Sequence, residues 1–364
     1  PTGACLVGFQ KHSGYDSFGK EQGANAPIGK SASFAYTTAL NHLLRKDSTQ
    51  KLTMIGDTTT VFWSAKEDPF ETQFCDFFTE PPKDDPDRLN NAVKSLYRSI
   101  ETGAFASDHG GNRFYILGLA PNSARISVRF WVVDSIEGMS GKIRRHFEDL
   151  QIVHGPNEPS ALSLWRLLVS TALPSKTNKS ENIPPNLAGD TMRTILEGLP
   201  YPQTLLQAAL RRIKAEHDIS YPRAALIKAC LNRSLRFHNP AKERELTVSL
   251  DPDNTNIGYR LGRLFATLEK IQEDASPGIN ATIRDRFYGA ASGTPATVFG
   301  TLMRLKNHHL AKLSDGLRIV RERQTGEIMA SIQNFPAHLT LDNQGRFAIG
   351  YYHQRQEFFT IKSN

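Results

Sequence analysis

The sequence predicts an α+β fold: a mixed α/β part over residues 1–137, a helical region over 138–245, and a C-terminal helical bundle over 246–364. Three observations carry this. Two runs with strand alternation, 113–119 and 124–133, flank a Pro-Asn turn. From Gly138 onward apolar residues recur at helical spacing. The proline-bounded polar stretch 174–186 and the non-periodic segment 238–254 divide the helical half.

The N-terminal part opens with a strand expected over Ala4–Phe9. It is followed by a polar loop containing Gly14, Gly19, Gly23 and Pro27, which exclude a regular element. Lys20, Asn25 and Lys30 place charge and hydrogen-bonding groups along it, and Phe34, Leu40, Leu43 and Leu44 mark an amphipathic helix behind it. Ala24-Asn-Ala-Pro-Ile-Gly-Lys30-Ser31 satisfies a permissive phosphate-loop spelling, although the segment before it lacks the buried strand of nucleotide-binding loops. Further strands are expected over 53–55 and 59–63, a loop over 68–87, and a helix through Leu89, Val93, Leu96 and Ile100.

The second strand of the hairpin alternates cleanly. Ile126, Val128, Phe130 and Val132 are expected to face the core, and Arg125, Ser127, Arg129 and Trp131 to face outward. Two arginines and a Trp on one face suit phosphate contact and base stacking. They equally suit a plain exposed sheet face with Trp131 packed beneath a helix.

Helices are expected near 187–199, 202–216 and 222–235. Between Gln203 and Arg244 nine basic residues (Arg211, Arg212, Lys214, Arg223, Lys228, Arg233, Arg236, Lys242, Arg244) face three acids (Glu216, Asp218, Glu243). A charge run is usually a solvated face, but nine to three is lopsided for that reading. In the bundle, Leu261, Leu264, Phe265, Leu268 and Ile271 form a stripe opposed by Arg260, Arg263, Thr267 and Lys270. A helix is expected to open at Ser276-Pro277, and another at Thr294-Pro295 with Arg304, His308 and Lys312 aligned on its outer side. His309 falls within the apolar arc. The last segment, 346–359, is expected to be helical because the bundle lacks a final member.

The net charge is +7 at pH 7, a bias toward polyanions. Cys5, Cys75 and Cys230 lack partner spacing, which fits buried thiols in a reducing compartment. No apolar run reaches membrane-spanning length, so a cytoplasmic protein without membrane association is expected. Little supports catalysis. Asp57, Asp108 and Asp134 would have to converge for a metal-dependent nuclease, and their local sequences read as turn and cap acids. No catalytic residues, metal or cofactor are expected.

Four motifs carry a resemblance: Ser17-Phe-Gly-Lys-Glu-Gln-Gly-Ala-Asn-Ala-Pro27 with Ser33-Phe-Ala-Tyr-Thr-Thr-Ala-Leu-Asn41; Gly56-Asp-Thr-Thr-Thr-Val-Phe-Trp63; Leu119-Ala-Pro-Asn-Ser-Ala-Arg-Ile-Ser-Val-Arg-Phe-Trp131; and Gln344-Gly-Arg-Phe-Ala-Ile-Gly-Tyr-Tyr-His-Gln-Arg355. In this order they resemble the large subunit of the type I-C CRISPR Cascade surveillance complex. With the sequence opening at Pro1, the portion of that family associated with reading the protospacer-adjacent motif is expected to be missing. The resemblance implies a non-enzymatic, RNA-guided DNA-binding role, in which base pairing reads sequence and protein holds backbone.

Its implied partners are target double-stranded DNA, the displaced single strand, the crRNA-carrying backbone subunits, the small subunits and a recruited helicase–nuclease. The C-terminal bundle resembles the separate small subunit, which makes Arg260, Arg263, Lys270, Arg304, His308 and Lys312 phosphate-contact candidates. Lys20, Asn25, Lys30, Arg125, Arg129, Arg211, Arg212, Lys214, Arg233 and Arg236 join them as nucleic-acid-binding candidates. The alternatives are a nucleotide-binding protein using Lys30 and Ser31, a nuclease using Asp57 and Asp134, and a scaffold whose basic faces dock acidic proteins.

Overall fold

A four-stranded sheet and thirteen helices make up the computed structural model, which describes residues 20, 24, 28–53, 58–102, 111–122, 125–174, 182–184 and 186–359. The chain divides into two compact units, residues 1–51 and residues 52–364. In the first unit, α1 (Lys30–Leu43) follows Gly29 and buries none of its residues. Phe34 and Tyr36 are exposed on it. The expected strand over Ala4–Phe9 lies outside the described residues.

The sheet order is β1 (Lys51–Thr53), β2 (Thr59–Ser64), β3 (Arg113–Asn122), β4 (Arg125–Ser135). β2 pairs antiparallel with β3, and β3 with β4, as the Pro-Asn turn requires. The inner face packs Phe62, Phe114, Ile116, Phe130 and Val132 into the core. Segment 68–87, expected to be a loop, contains α2 (Phe70–Phe74) and a 3₁₀ turn over Cys75–Phe77. Phe70, Phe74, Phe77 and Phe78 are all buried there. Their i, i+4, i+7, i+8 spacing is a helical stripe, obscured in the sequence by the surrounding prolines and acids.

α3 (Arg88–Glu101) and α4 (Ile136–Leu150) lean on this aromatic cluster. Ser135 caps α4 by accepting from Gly138 N at 3.0 Å. The helices that follow are α5 (Leu164–Thr171), α6 (Leu187–Glu197), α7 (Gln203–Glu216) and α8 (Tyr221–His238). Gly198 (φ +75°) ends α6 in the left-handed region.

Beyond a loop come α9 (Ile257–Ala275), α10 (Ile283–Gly293), α11 (Phe299–Leu310), α12 (Asp315–Met329) and α13 (Leu341–Phe359). α10 starts later than Ser276-Pro277 suggests. Thr282 and Asp285 form a capping box at Ile283, and Gly278 at φ +79° turns the chain before it. The final segment is helical, as expected.

α9 and α13 touch backbone to backbone. A Cβ built on Gly262 would lie 2.0 Å from the Phe347 carbonyl oxygen, and one on Gly350 would lie 2.0 Å from that of Tyr259. Glycine at both places lets the axes approach more closely than side chains allow. α13 also packs on α8, and Tyr352 donates to the Val153 carbonyl at 2.8 Å. The boundaries expected at 137/138 and 245/246 both fall inside the unit of residues 52–364. Most of the expected linker 174–186 lies outside the described residues. No helix among the described residues is long and apolar enough to cross a membrane.

Candidate nucleic-acid interface

The basic residues of α7 and α8 do not form an outer face. Arg212, Arg223, Lys228 and Arg233 are buried. Arg212 and Arg223 both bind the Glu216 carboxylate. Burial pushes that carboxylate's pKa up, but the two guanidinium hydrogen bonds outweigh it and hold the group below its ordinary value. Arg223 also donates to the carbonyls of Ser170 (2.8 Å) and Asp218 (2.9 Å).

Three further cations converge on Asp149 at the end of α4. Arg236 donates to both its carboxylate oxygens, at 3.0 and 2.7 Å. Arg233 approaches the same carboxylate at 3.7 Å, and Lys228 donates to the Asp149 carbonyl at 2.8 Å. Burial lowers the Lys228 pKa to about 8. Arg233 additionally donates to the carbonyls of Leu199 and Thr194 and lies over the Tyr201 ring, 4.7 Å from its centroid.

Arg212, Arg233 and Arg236, expected among the nucleic-acid-binding residues, are instead internal braces. The local count includes Glu216, which two of the arginines share, but misses Asp149 and the carbonyls of Ser170, Leu199 and Thr194, which come from other elements. Lys214 is half-buried and donates to Gln344 at 2.7 Å, whereas Arg211 is exposed and makes no ion pair among the described residues.

α9 gives a second correction. Arg260 and Arg263, expected to point outward, are buried because α10, α11, α12 and α13 surround this helix. Arg263 donates to Gln354 at 3.2 Å and to the Pro252 carbonyl at 3.1 Å. Burial, reinforced by the charge of Arg260, lowers its pKa. Lys270 pairs with Asp274 at 2.8 Å.

α11 is different. It buries only Phe299, Leu302 and Leu310, and Arg304, His308 and Lys312 are exposed, as their i, i+4, i+8 spacing predicts. Lys306, half-buried on the same helix, is not marked by that spacing. The chain has no acidic residue between Asp285 and Asp315, and none of Arg304, Lys306 and Lys312 forms an ion pair among the described residues. Among the described residues Arg304 donates only to the Thr301 hydroxyl, at 3.2 Å. His309 is partly buried, and burial followed by the charges of Lys312 and His308 lowers its pKa. That absence of acids is the sequence signal that leaves the exposed row of Arg304, His308 and Lys312 unneutralised.

The sheet corrects a third expectation. Gly118 pairs with Phe130 but Leu119 pairs with Val128, so Arg129 is an extra residue in β4, a β-bulge. Phe130 and Val132 face the core, whereas Ile126 and Val128 turn out to the same face as Trp131 and Val133. Trp131 is not covered by a helix. Its ring lies 5.6 Å from Trp63 and 6.0 Å from Tyr115, and Trp63 stacks on Tyr115 at 5.4 Å. Arg129 is half-buried, and the side chain of Arg125 lies outside the described residues.

Of the N-terminal candidates, Lys20 and Lys30 are exposed, Lys30 starts α1, and Asn25 and Asp57 lie outside the described residues. Asp134 pairs with Lys142 at 2.8 Å. Among the described residues no cluster of His, Cys, Asp and Glu is placed to hold a metal.

The sequence matches, over residues 1–359, the family described as CRISPR-associated protein (Cas_Csd1). No individually curated protein matches it.

Proposed function

The chain belongs to this CRISPR-associated (Cas_Csd1) family, and on that premise we propose that it is a non-catalytic DNA-holding large subunit of a type I-C surveillance complex. In this reading it grips the sugar–phosphate backbone of target and displaced strands while crRNA pairing supplies sequence specificity. The crRNA-carrying backbone subunits and small subunits assemble with it, and a helicase–nuclease recruited to the complex makes the cut.

The observation that carries this reading is the face of α11. Arg304 and His308 lie on its exposed side, and Lys312 continues their row in the turn just beyond it, all without a carboxylate partner among the described residues, on a helix whose burial involves the opposite side. A cation that is neither braced internally nor neutralised is available to displace counterions from phosphate. The buried cations of α7, α8 and α9 serve the fold.

The test is a double reversal, Arg304→Glu and Lys312→Glu, in the assembled complex. DNA affinity should fall at low salt, and the slope of log K against log salt should shrink by about 0.9 for each duplex phosphate that is no longer neutralised. Subunit assembly should persist. Unchanged affinity and slope in an intact complex would remove α11 from the interface.

A further inference from the structure

Edge strands exposing apolar side chains are normally blunted by charge, proline or a covering element, because they template pairing with another chain. β4 closes one end of the sheet, so alternate backbone N–H and C=O groups along it point away from β3. Among the described residues no strand pairs with that side.

The bulge at Arg129 places four large apolar side chains in one row on the outer face. Ile126 is 67% exposed, Val128 61%, Trp131 50% and Val133 42%. No other described strand presents such a row. A monomer seldom leaves contiguous apolar surface of this kind uncovered, and tryptophan and tyrosine are the residues that anchor protein interfaces.

Charge narrows the occupant. The outer-facing positions of β2, β3 and β4 include no carboxylate, since Asp134 turns inward to Lys142. Arg113 is exposed at one end of the row, opposite Ser135, and has no ion pair among the described residues. Ile126, Val128 and Val133 offer little to a nucleobase, which stacks on aromatic faces, and the single exposed aromatic of the row, Trp131, is already flanked by Trp63 and Tyr115. It does suit the alternating apolar side chains of an added strand.

We propose that the outer edge and face of β4 dock an extended segment of another protein subunit of the CRISPR complex. That segment adds to the sheet beside β4, places apolar side chains over Val128 and Trp131, and carries acidic residues toward Arg113. This surface is independent of α11 and would stand if the DNA reading failed.

Hydrogen exchange on the unmodified chain tests this without a folding risk. Amides of residues 126–133 should exchange at least about tenfold more slowly in the assembled protein complex, before DNA is added, than in the isolated chain. Protection that is absent on assembly, that appears only with single-stranded DNA, or that appears on concentrating the chain alone would each overturn it. As a second arm, Ile126→Lys with Val128→Lys should weaken incorporation by about tenfold or more while leaving the melting temperature unchanged, because both side chains are exposed. Full incorporation would also overturn the proposal.

Discussion

The Cβ that Gly262 lacks would sit 2.0 Å from the carbonyl oxygen of Phe347. Backbone cannot retreat as a flexible side chain can, so α9 and α13 would have to separate. Gly262→Ala is expected to cost on the order of 3 kcal/mol of stability, read as a lower urea midpoint. Gly289 in α10 has nothing within 4 Å of its Cβ position. Gly289→Ala should therefore gain about 0.4–1 kcal/mol by restricting the unfolded chain.

Arg233 separates bracing from binding. Its guanidinium is buried against Tyr201, two carbonyls and Asp149. Arg233→Met leaves those acceptors under-satisfied and should destabilise the fold by about 3–5 kcal/mol. DNA affinity of the molecules that remain folded should match wild type. A specific loss of DNA binding at unchanged stability would show the guanidinium reaching phosphate instead.

Two imidazoles set an acid limit. His146 binds the Tyr201 hydroxyl, and His353 lies 2.9 Å from that of Tyr259. Burial, followed by the nearby charge of Arg233 for His146 and of Lys228 for His353, lowers both pKa values to about 3. The unfolded chain takes up these protons near the ordinary value of 6.5, so between that pH and about 3 it holds more protons than the native state. Stability is therefore fully present above about pH 6.5 and falls on acidification. Each histidine contributes a slope approaching about 1.4 kcal/mol per pH unit within that window. Urea titrations between about pH 5 and 6.5 should show His353→Gln flattening the slope by about one proton.

Cys75 and Cys230 should resist thiol reagents in the native state. Burial pushes both thiols up to about 12, so thiolate is scarce at neutral pH. Peptide mapping after alkylation at about pH 8 should find both unmodified in buffer and modified in urea. Modification of Cys230 in buffer would mean that α8 opens readily.

Helical periodicity was legible wherever a stripe was long and uninterrupted, and α4, α7, α8 and α9 lie where spacing placed them, whereas the helix at α13 was expected from the bundle's need of a final member. The α+β class, the hairpin of β3 and β4, the outward set of Arg304, His308 and Lys312, and the family motifs were likewise written locally. Each depends on residues a few positions apart, which share a face by backbone geometry alone.

Tertiary structure decided which charges are spent inside and which remain on the surface. Arg212, Arg233 and Arg260 look in sequence like Arg211 and Arg304, but their surroundings come from α4, α13 and distant loops. Burial is a property of the assembled neighbours, not of the residue. The same holds for β4, where one bulged residue reverses the facing of Ile126 and Val128. A period of two transmits a single insertion to every side chain beyond it.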